Sequence, residues 1–188
     1  MIYGLFFGDS ITYGEYDGVF GGWVDILKRY ALQKYNEGSN ELILFNLGIV
    51  GETTEGLLNR MSHEMKARNS ADGNIVFIGY GANDLANKDE NQLVNPEQFK
   101  TNIEIAVQNA KQYSKDIYLV SILPLSENID SKVSPTGKVR TNEDVLIYNQ
   151  ILKTIATENS LNYIDFHSVF LQDKEILLSK DGVHPNEK

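Results

Sequence analysis

Gly4-Leu5-Phe6-Phe7-Gly8-Asp9-Ser10-Ile11-Thr12-Tyr13-Gly14 opens the chain with a bulky apolar run that breaks into a glycine, a carboxylate and a hydroxyl. The run reads as a buried strand, and the polar break as a loop that leads into a helix. In an open α/β sheet the loops at the carboxyl ends of the strands line the crevice where ligands bind, so Ser10 is expected at the mouth of that crevice. Taken alone, a serine here serves equally well to cap the following helix or close a turn.

The same grammar repeats downstream. Trp23, Leu27, Tyr30 and Ala31 recur at helical spacing up to the break Asn36-Glu37-Gly38-Ser39-Asn40, and Leu42 to Leu47 is a second apolar run that stops at Gly48. Leu57, Leu58, Met61 and Met65 form one stripe behind the cap candidates Thr53 and Thr54. Ile75 to Tyr80 is a third strand that runs into Gly81-Ala82-Asn83-Asp84, after which Pro96 opens a helix carrying Phe99, Ile103, Ala106, Ala110 and Tyr113. Ile117 to Leu123 reads as the fourth strand and residues 124 to 142 as a long surface loop. Val145, Tyr148, Leu152 and Ile155 mark a helix, Tyr163-Ile164-Asp165 a short fifth strand, and an irregular segment leads to Asp181-Gly182-Val183-His184-Pro185.

Strands that alternate with helices imply a parallel sheet covered on both faces, because each crossover is right-handed and each face needs burial. The expectation is an α/β fold, a flavodoxin-like three-layer α/β/α sandwich around a five-stranded parallel sheet, as one domain over residues 1–188. Apolar residues at 41% and charged residues at 23% fit an ordinary globular chain, without a membrane span. A net charge of -9 repels phosphate backbones and argues against nucleic acid as a partner. Cysteine is absent, which removes disulfides and thiolate chemistry. Met1 to Phe7 lacks a basic n-region and a cleavage site, so a cytoplasmic location is expected.

Ser10, Gly48, Asn83 and the pair Asp181 and His184 all fall at strand ends or in the terminal loop. Each has an ordinary explanation: Gly48 can supply a turn needing positive φ, Asn83-Asp84 are turn formers, and Asp181-Gly182 reads as a surface turn. Together they supply what acyl transfer requires. A serine hydroxyl becomes nucleophilic when an imidazole removes its proton, and the imidazole works best when a carboxylate fixes its tautomer. Asp181 and His184 lie three residues apart around a turn, so both can face one crevice. The backbone N–H groups of Ser10 and Gly48 and the Asn83 amide could converge on the developing oxyanion.

At these residues the chain resembles the GDSL (SGNH) family of serine esterases and lipases. The resemblance rests on Gly8-Asp9-Ser10, on Asn46-Leu47-Gly48 with Gly51-Glu52-Thr53-Thr54, on Gly81-Ala82-Asn83-Asp84, and on Asp181-Gly182-Val183-His184-Pro185-Asn186, in the family's order. It implies Ser10 as nucleophile, His184 as general base, Asp181 as its orienting carboxylate, and Ser10, Gly48 and Asn83 as the oxyanion hole. It further implies Asp9 and Asp84 as loop supports, the three-layer sandwich, and catalysis with neither metal nor cofactor on a small acyl ester. Family members usually carry a helix after the His-Pro block, whereas this sequence stops at Asn186-Glu187-Lys188. Either the sequence is a truncated piece or the helix is absent; if it is absent, lower stability and a looser His184 are expected.

Other candidates carry less chemistry. His63-Glu64 has Ala at position 67, which leaves the two-histidine zinc pattern incomplete, and His167 lacks the carboxylate spacing of His184. Tyr13, Tyr16 and Phe20 can line a pocket, although loop aromatics at this density more often serve packing. The competing reading is a flavin-binding electron-transfer protein, with Ser10-Ile11-Thr12-Tyr13-Gly14 as a hydroxyl-rich phosphate loop; an acetylesterase acting on carbohydrate and a non-catalytic scaffold are further alternatives. Lysophospholipid, short-chain alcohol ester and acetylated sugar all fit as substrates, with residues 85 to 95 and 124 to 142 expected to shape the acyl and alcohol pockets. A free imidazole titrates near about 6.5, so activity is expected to rise between roughly pH 6 and 8.

Overall fold

A computed structural model describes residues 1–89 and 91–188, so one position of the 85 to 95 segment lies outside the described residues. In chain order the elements are β1 (Ile2–Gly8), α1 (Ser10–Tyr13), α2 (Trp23–Asn36), β2 (Leu42–Gly48), α3 (Thr54–Ala67) and β3 (Asn74–Gly79). There follow β4 (Asn87–Lys88), β5 (Asn91–Gln92), α4 (Pro96–Lys111), β6 (Asp116–Val120), α5 (Asn142–Glu158), β7 (Asn162–Ile164), α6 (Phe166–Leu171) and α7 (Lys174–Leu177). Five strands form one parallel sheet in the order β2-β1-β3-β6-β7, and β4 pairs antiparallel with β5 as a separate ribbon.

Alternation along β1 explains the two layers of packing. Leu5 and Phe7 face the larger core, where Leu57 and Met61 of α3, Phe99 and Ile103 of α4 and Tyr148 and Leu152 of α5 close over the sheet. Phe6 points the other way, into a smaller cluster with Val24 and Ala31 of α2 and Leu44. On that second face the rings of Phe6, Phe77 and Tyr118 stack across three neighbouring strands, at centroid distances of 4.2 and 4.7 Å. A cavity of about 720 Å³ runs along this face, lined by Trp23, Ile26 and Tyr30 of α2 and Phe166 and Phe170 of α6. It reaches the edge of α1 at Asp9 and Glu15 and is lined by none of Ser10, Asn83 or His184.

The differences from the sequence reading lie at element ends. The fourth strand stops at Val120 rather than Leu123, and residues 121 to 126 continue buried, with the Ser121 N–H still donating to Ile164 O at 2.9 Å. The segment 124 to 142 is the expected loop, with residues 127 to 137 largely exposed, and it is tethered at both ends. Asn87 and Val139 exchange both backbone hydrogen bonds, at 2.8 and 2.9 Å, and Asp130 holds both the N–H and the side-chain amide of Asn142 at 3.0 Å. The stretch expected to be irregular before Asp181 contains α6 and α7, both too short for a periodic stripe.

Candidate active site

The site assembles where β1, β2 and β3 end in register at Gly8, Gly48 and Gly79. Asp9 caps α1, its Oδ1 accepting the Ile11 N–H at 2.9 Å, which leaves Ser10 at the first helical position with an N–H that has no intrahelical acceptor. Ser10 Oγ lies 2.7 Å from His184 Nε2, and His184 Nδ1 lies 2.5 Å from Asp181 Oδ2. The carboxylate settles the tautomer: Nδ1–H donates to Asp181, so Nε2 is the acceptor that faces the serine hydroxyl. Burial would raise the Asp181 pKa, but hydrogen bonds from His184 Nδ1, the Ser179 hydroxyl and the N–H groups of Val183 and His184 outweigh it and hold the carboxyl well below its usual range.

The loop that carries His184 is pinned at several points. Ser126 donates to Gly182 O at 3.0 Å, Ser179 to His184 O at 2.7 Å, and the Asn186 amide to Ile176 O and Leu178 O at 2.7 and 3.0 Å. Glu15 Oε2 approaches His184 Nε2 to 3.5 Å, and the Tyr16 ring tilts over the imidazole at 4.9 Å. Neither contact is visible in a sequence pattern. Tyr13 and Tyr16 are each 56% exposed and Phe20 43% exposed; Tyr16 lies against His184, whereas Phe20 lines the cavity along the other face.

Gly48 requires a correction. Its N–H already donates to Asn46 Oδ1 at 3.0 Å, so it is not a free donor for an oxyanion. Its φ is not positive either; the glycine is there because a Cβ would lie 2.3 Å from the backbone N of Tyr13 and 2.8 Å from Asp9 O. Gly51, three residues on, has φ +76° and an open environment, and among the described residues its N–H has no acceptor. Asn83 Nδ2 donates to Glu52 O at 3.2 Å, which puts the amide beside the Gly51-Glu52 stretch and leaves its second N–H available.

Two buried supports hold these donors. Arg60 of α3 donates to Leu47 O at 2.6 Å, to Glu52 Oε2 at 2.6 Å and to Tyr80 Oη at 2.9 Å, and Tyr80 in turn donates to Glu52 Oε2 at 2.6 Å. This clamp joins the end of β2, the Glu52 loop and the end of β3. Burial alone would lower the Arg60 pKa; the Glu52 carboxylate and the Tyr80 oxygen reverse that and raise it. Asp84 Oδ1 accepts both the N–H and hydroxyl of Thr54, at 2.9 and 2.5 Å, fastening the start of α3 to the turn that carries Asn83. Burial pushes the Asp9 and Asp84 carboxyls up to about 6 each.

The remaining histidines stand apart. His63 is exposed on α3. His167 lies in the first turn of α6 with its backbone N–H on Ser121 Oγ, and its ring has no hydrogen bond to Ser10 or Asp181. The hydroxyl-rich loop of the flavin reading folds as α1 with the Asp9 carboxyl over its N-terminus, the position where a phosphate would need to sit.

The GDSL-like lipase/acylhydrolase family model matches residues 6–188, and the chain belongs to that family. It is therefore an ester-hydrolysing enzyme, a serine hydrolase of carboxylic esters. A lipase/acylhydrolase from Enterococcus faecalis is similar at 21% identity and TM-score 0.79, over 100% of this chain and 88% of that one. A member of the lipolytic G-D-S-L family from Veillonella parvula DSM 2008 is similar at 21% identity and TM-score 0.73, over 100% and 91%. An acetyl xylan esterase variant from Geobacillus stearothermophilus is similar at 23% identity and TM-score 0.74, over 98% and 87%. At these identities the likeness is one of fold. No curated protein sequence matches the chain.

Proposed function

We propose that hydrolysis runs through an acyl-enzyme on Ser10. The observation that carries this is the unbroken chain Ser10 Oγ, His184 Nε2, His184 Nδ1, Asp181 Oδ2, at 2.7 and 2.5 Å. His184 takes the hydroxyl proton as Oγ attacks the ester carbonyl and returns it to the departing alcohol; water then repeats the cycle on the acyl-enzyme. Asp181 steadies the imidazolium, and Glu15 adds a second negative group within 3.5 Å of the ring.

The oxyanion is received by Ser10 N–H, by the Asn83 amide and by Gly51 N–H in place of Gly48. The support for Gly51 is its unspent N–H, against one already committed to Asn46. No group in this sequence of steps calls for a metal or an organic cofactor. The substrate is a small acyl ester. Short p-nitrophenyl esters test the reading: the wild-type enzyme gives a burst of nitrophenolate followed by steady turnover, and Ser10→Ala gives neither while keeping its melting temperature. A Ser10→Ala protein that still turns over most of the ester would remove the assignment.

A further inference from the structure

Arg140 and Lys138 converge on the oxygen of the Asn83 amide. Arg140 donates through Nε to Ala82 O at 2.6 Å and through Nη2 to Asn83 Oδ1 at 3.3 Å, and Lys138 Nζ stands 3.5 Å from the same Oδ1. They do not arrive there by chance of a loose loop. The paired Asn87 and Val139 give the segment β character, so residues 138 and 140 project from one face while Val139 projects from the other. Orienting the amide takes a single donor, and Arg140 supplies it. Lys138 then adds a second positive charge beside the first, with Lys88 of β4 close enough to be felt by it.

Like charges gathered in a partly buried place are costly unless something negative joins them. Among the described residues no carboxylate comes within 4 Å of either cation. Asp181 is engaged by His184, Ser179 and Val183, and the Asp9 carboxylate is engaged by Ile11. Asp9 and Asp181 act on Arg140 from beyond that distance, whereas the charges felt by Lys138 are the cations Arg140 and Lys88, so in a chain of net charge -9 it is Lys138 that stands uncompensated at the edge of the oxyanion amide.

We infer that Arg140 and Lys138 form a subsite for an anionic group, a carboxylate or a phosphate, carried by the ester substrate itself. This deepens the reading of Ser10 as the nucleophile and rests on it. A guanidinium and an ammonium side by side suit an oxyanion group, the first by its planar fork and the second as a point charge. Held by them, the anion lies against the amide that receives the carbonyl oxygen, so one end of the substrate is fixed while the other reacts. The overall negative charge of the protein works against such substrates, so a preference for them reports the local pair rather than the general field.

The test compares kcat/KM for matched esters in two arms. One sets the p-nitrophenyl hemiester of glutaric acid against p-nitrophenyl pentanoate, with the carboxylate on the acyl side. The other sets acetylated glycerol phosphate against acetylated glycerol, with the phosphate on the alcohol side. Wild-type enzyme is expected to favour the anionic member of at least one pair by about tenfold or more, as for hydrogen bonds to charged groups. Lys138→Ala and Arg140→Gln should each bring that ratio toward one, and added salt should shrink it. The arm that responds identifies the source of the anion. A ratio at or below one in both arms, or a preference unchanged in Lys138→Ala and in Arg140→Gln, overturns the subsite while hydrolysis of the neutral esters leaves the Ser10 reading standing. Hydrolysis of none of the four esters would instead strike the Ser10 reading.

Discussion

Ser10 Oγ and His184 Nε2 stand 2.7 Å apart although 174 residues separate them in the chain. The contact closes because β1 runs inside the sheet, between β2 and β3, and the last turn folds back over its carboxyl end, pinned through Ser126, Ser179 and Asn186. Every functional statement about the site depends on that closure.

Asp181→Asn removes the acceptor that fixes the imidazole tautomer. Turnover is expected to fall by about 10⁴, the scale seen when an orienting carboxylate becomes an amide, with little change in KM. Steady-state kinetics on a short p-nitrophenyl ester checks this, and a fall of less than tenfold would mean that His184 is oriented by something else, with Glu15 the nearest alternative.

Asn83→Ala should lower kcat by about 10²- to 10³-fold, the usual cost of one oxyanion donor. Alanine should cost more stability at Gly48 than at Gly51. In Gly48→Ala the new Cβ meets backbone at 2.3 Å, so overpacking is expected to cost about 3 kcal/mol, or roughly 6 to 12 °C in melting temperature. Gly51→Ala meets open space and bears only the strain of φ +76°, about 1 to 2 kcal/mol, while keeping its N–H. Equal melting temperatures for the two variants would count against the packing role of Gly48.

Arg60→Ala strips the clamp between Leu47, Glu52 and Tyr80. Leaving the Glu52 carboxylate, only 10% exposed, without its cation should cost about 3 to 5 kcal/mol in chemical denaturation. Arg60→Lys should recover only part of that, since an ammonium cannot span three acceptors in the way a planar fork does. Full recovery by lysine would show that charge alone, and not the fork, matters there.

Asp84 links stability to pH in a definite direction. Its folded pKa, about 6, lies above the unfolded value of 3.8, so the folded state holds the extra proton between those limits. Stability from this group is therefore complete below about pH 4 and is lost as pH rises through 6, to about 3 kcal/mol at most. Asp84→Asn keeps an acceptor for Thr54 and cannot ionise. Its melting temperature relative to wild type should be higher at pH 8 than at pH 4.5, and a difference independent of pH would contradict the assignment.

Much of this was legible in the sequence. Leu5 and Phe7 against Phe6 already encode a sheet with two covered faces, and the blocks around Ser10, Asn83 and His184 name the residues that the fold brings together. What failed to show depends on contacts that only the folded backbone sets. Gly48 and Gly51 are identical as letters, and only the proximity of Asn46 Oδ1 decides which N–H is spent. Arg60 reads as one polar position on an amphipathic helix until Tyr80 and Glu52 meet it. Arg140 and Lys138 read as loop charges until Val139 pairs with Asn87 and turns both toward Asn83. Tyr16 reads as a loop aromatic until the fold sets it against the His184 ring.

The most direct measurement is the site of covalent capture by a fluorophosphonate, read by mass spectrometry of intact protein and of its peptides. The account requires one adduct per chain, located on Ser10, absent in Ser10→Ala and strongly slowed in His184→Ala. An adduct on any other residue, or undiminished labelling of the Ser10→Ala protein, would contradict it.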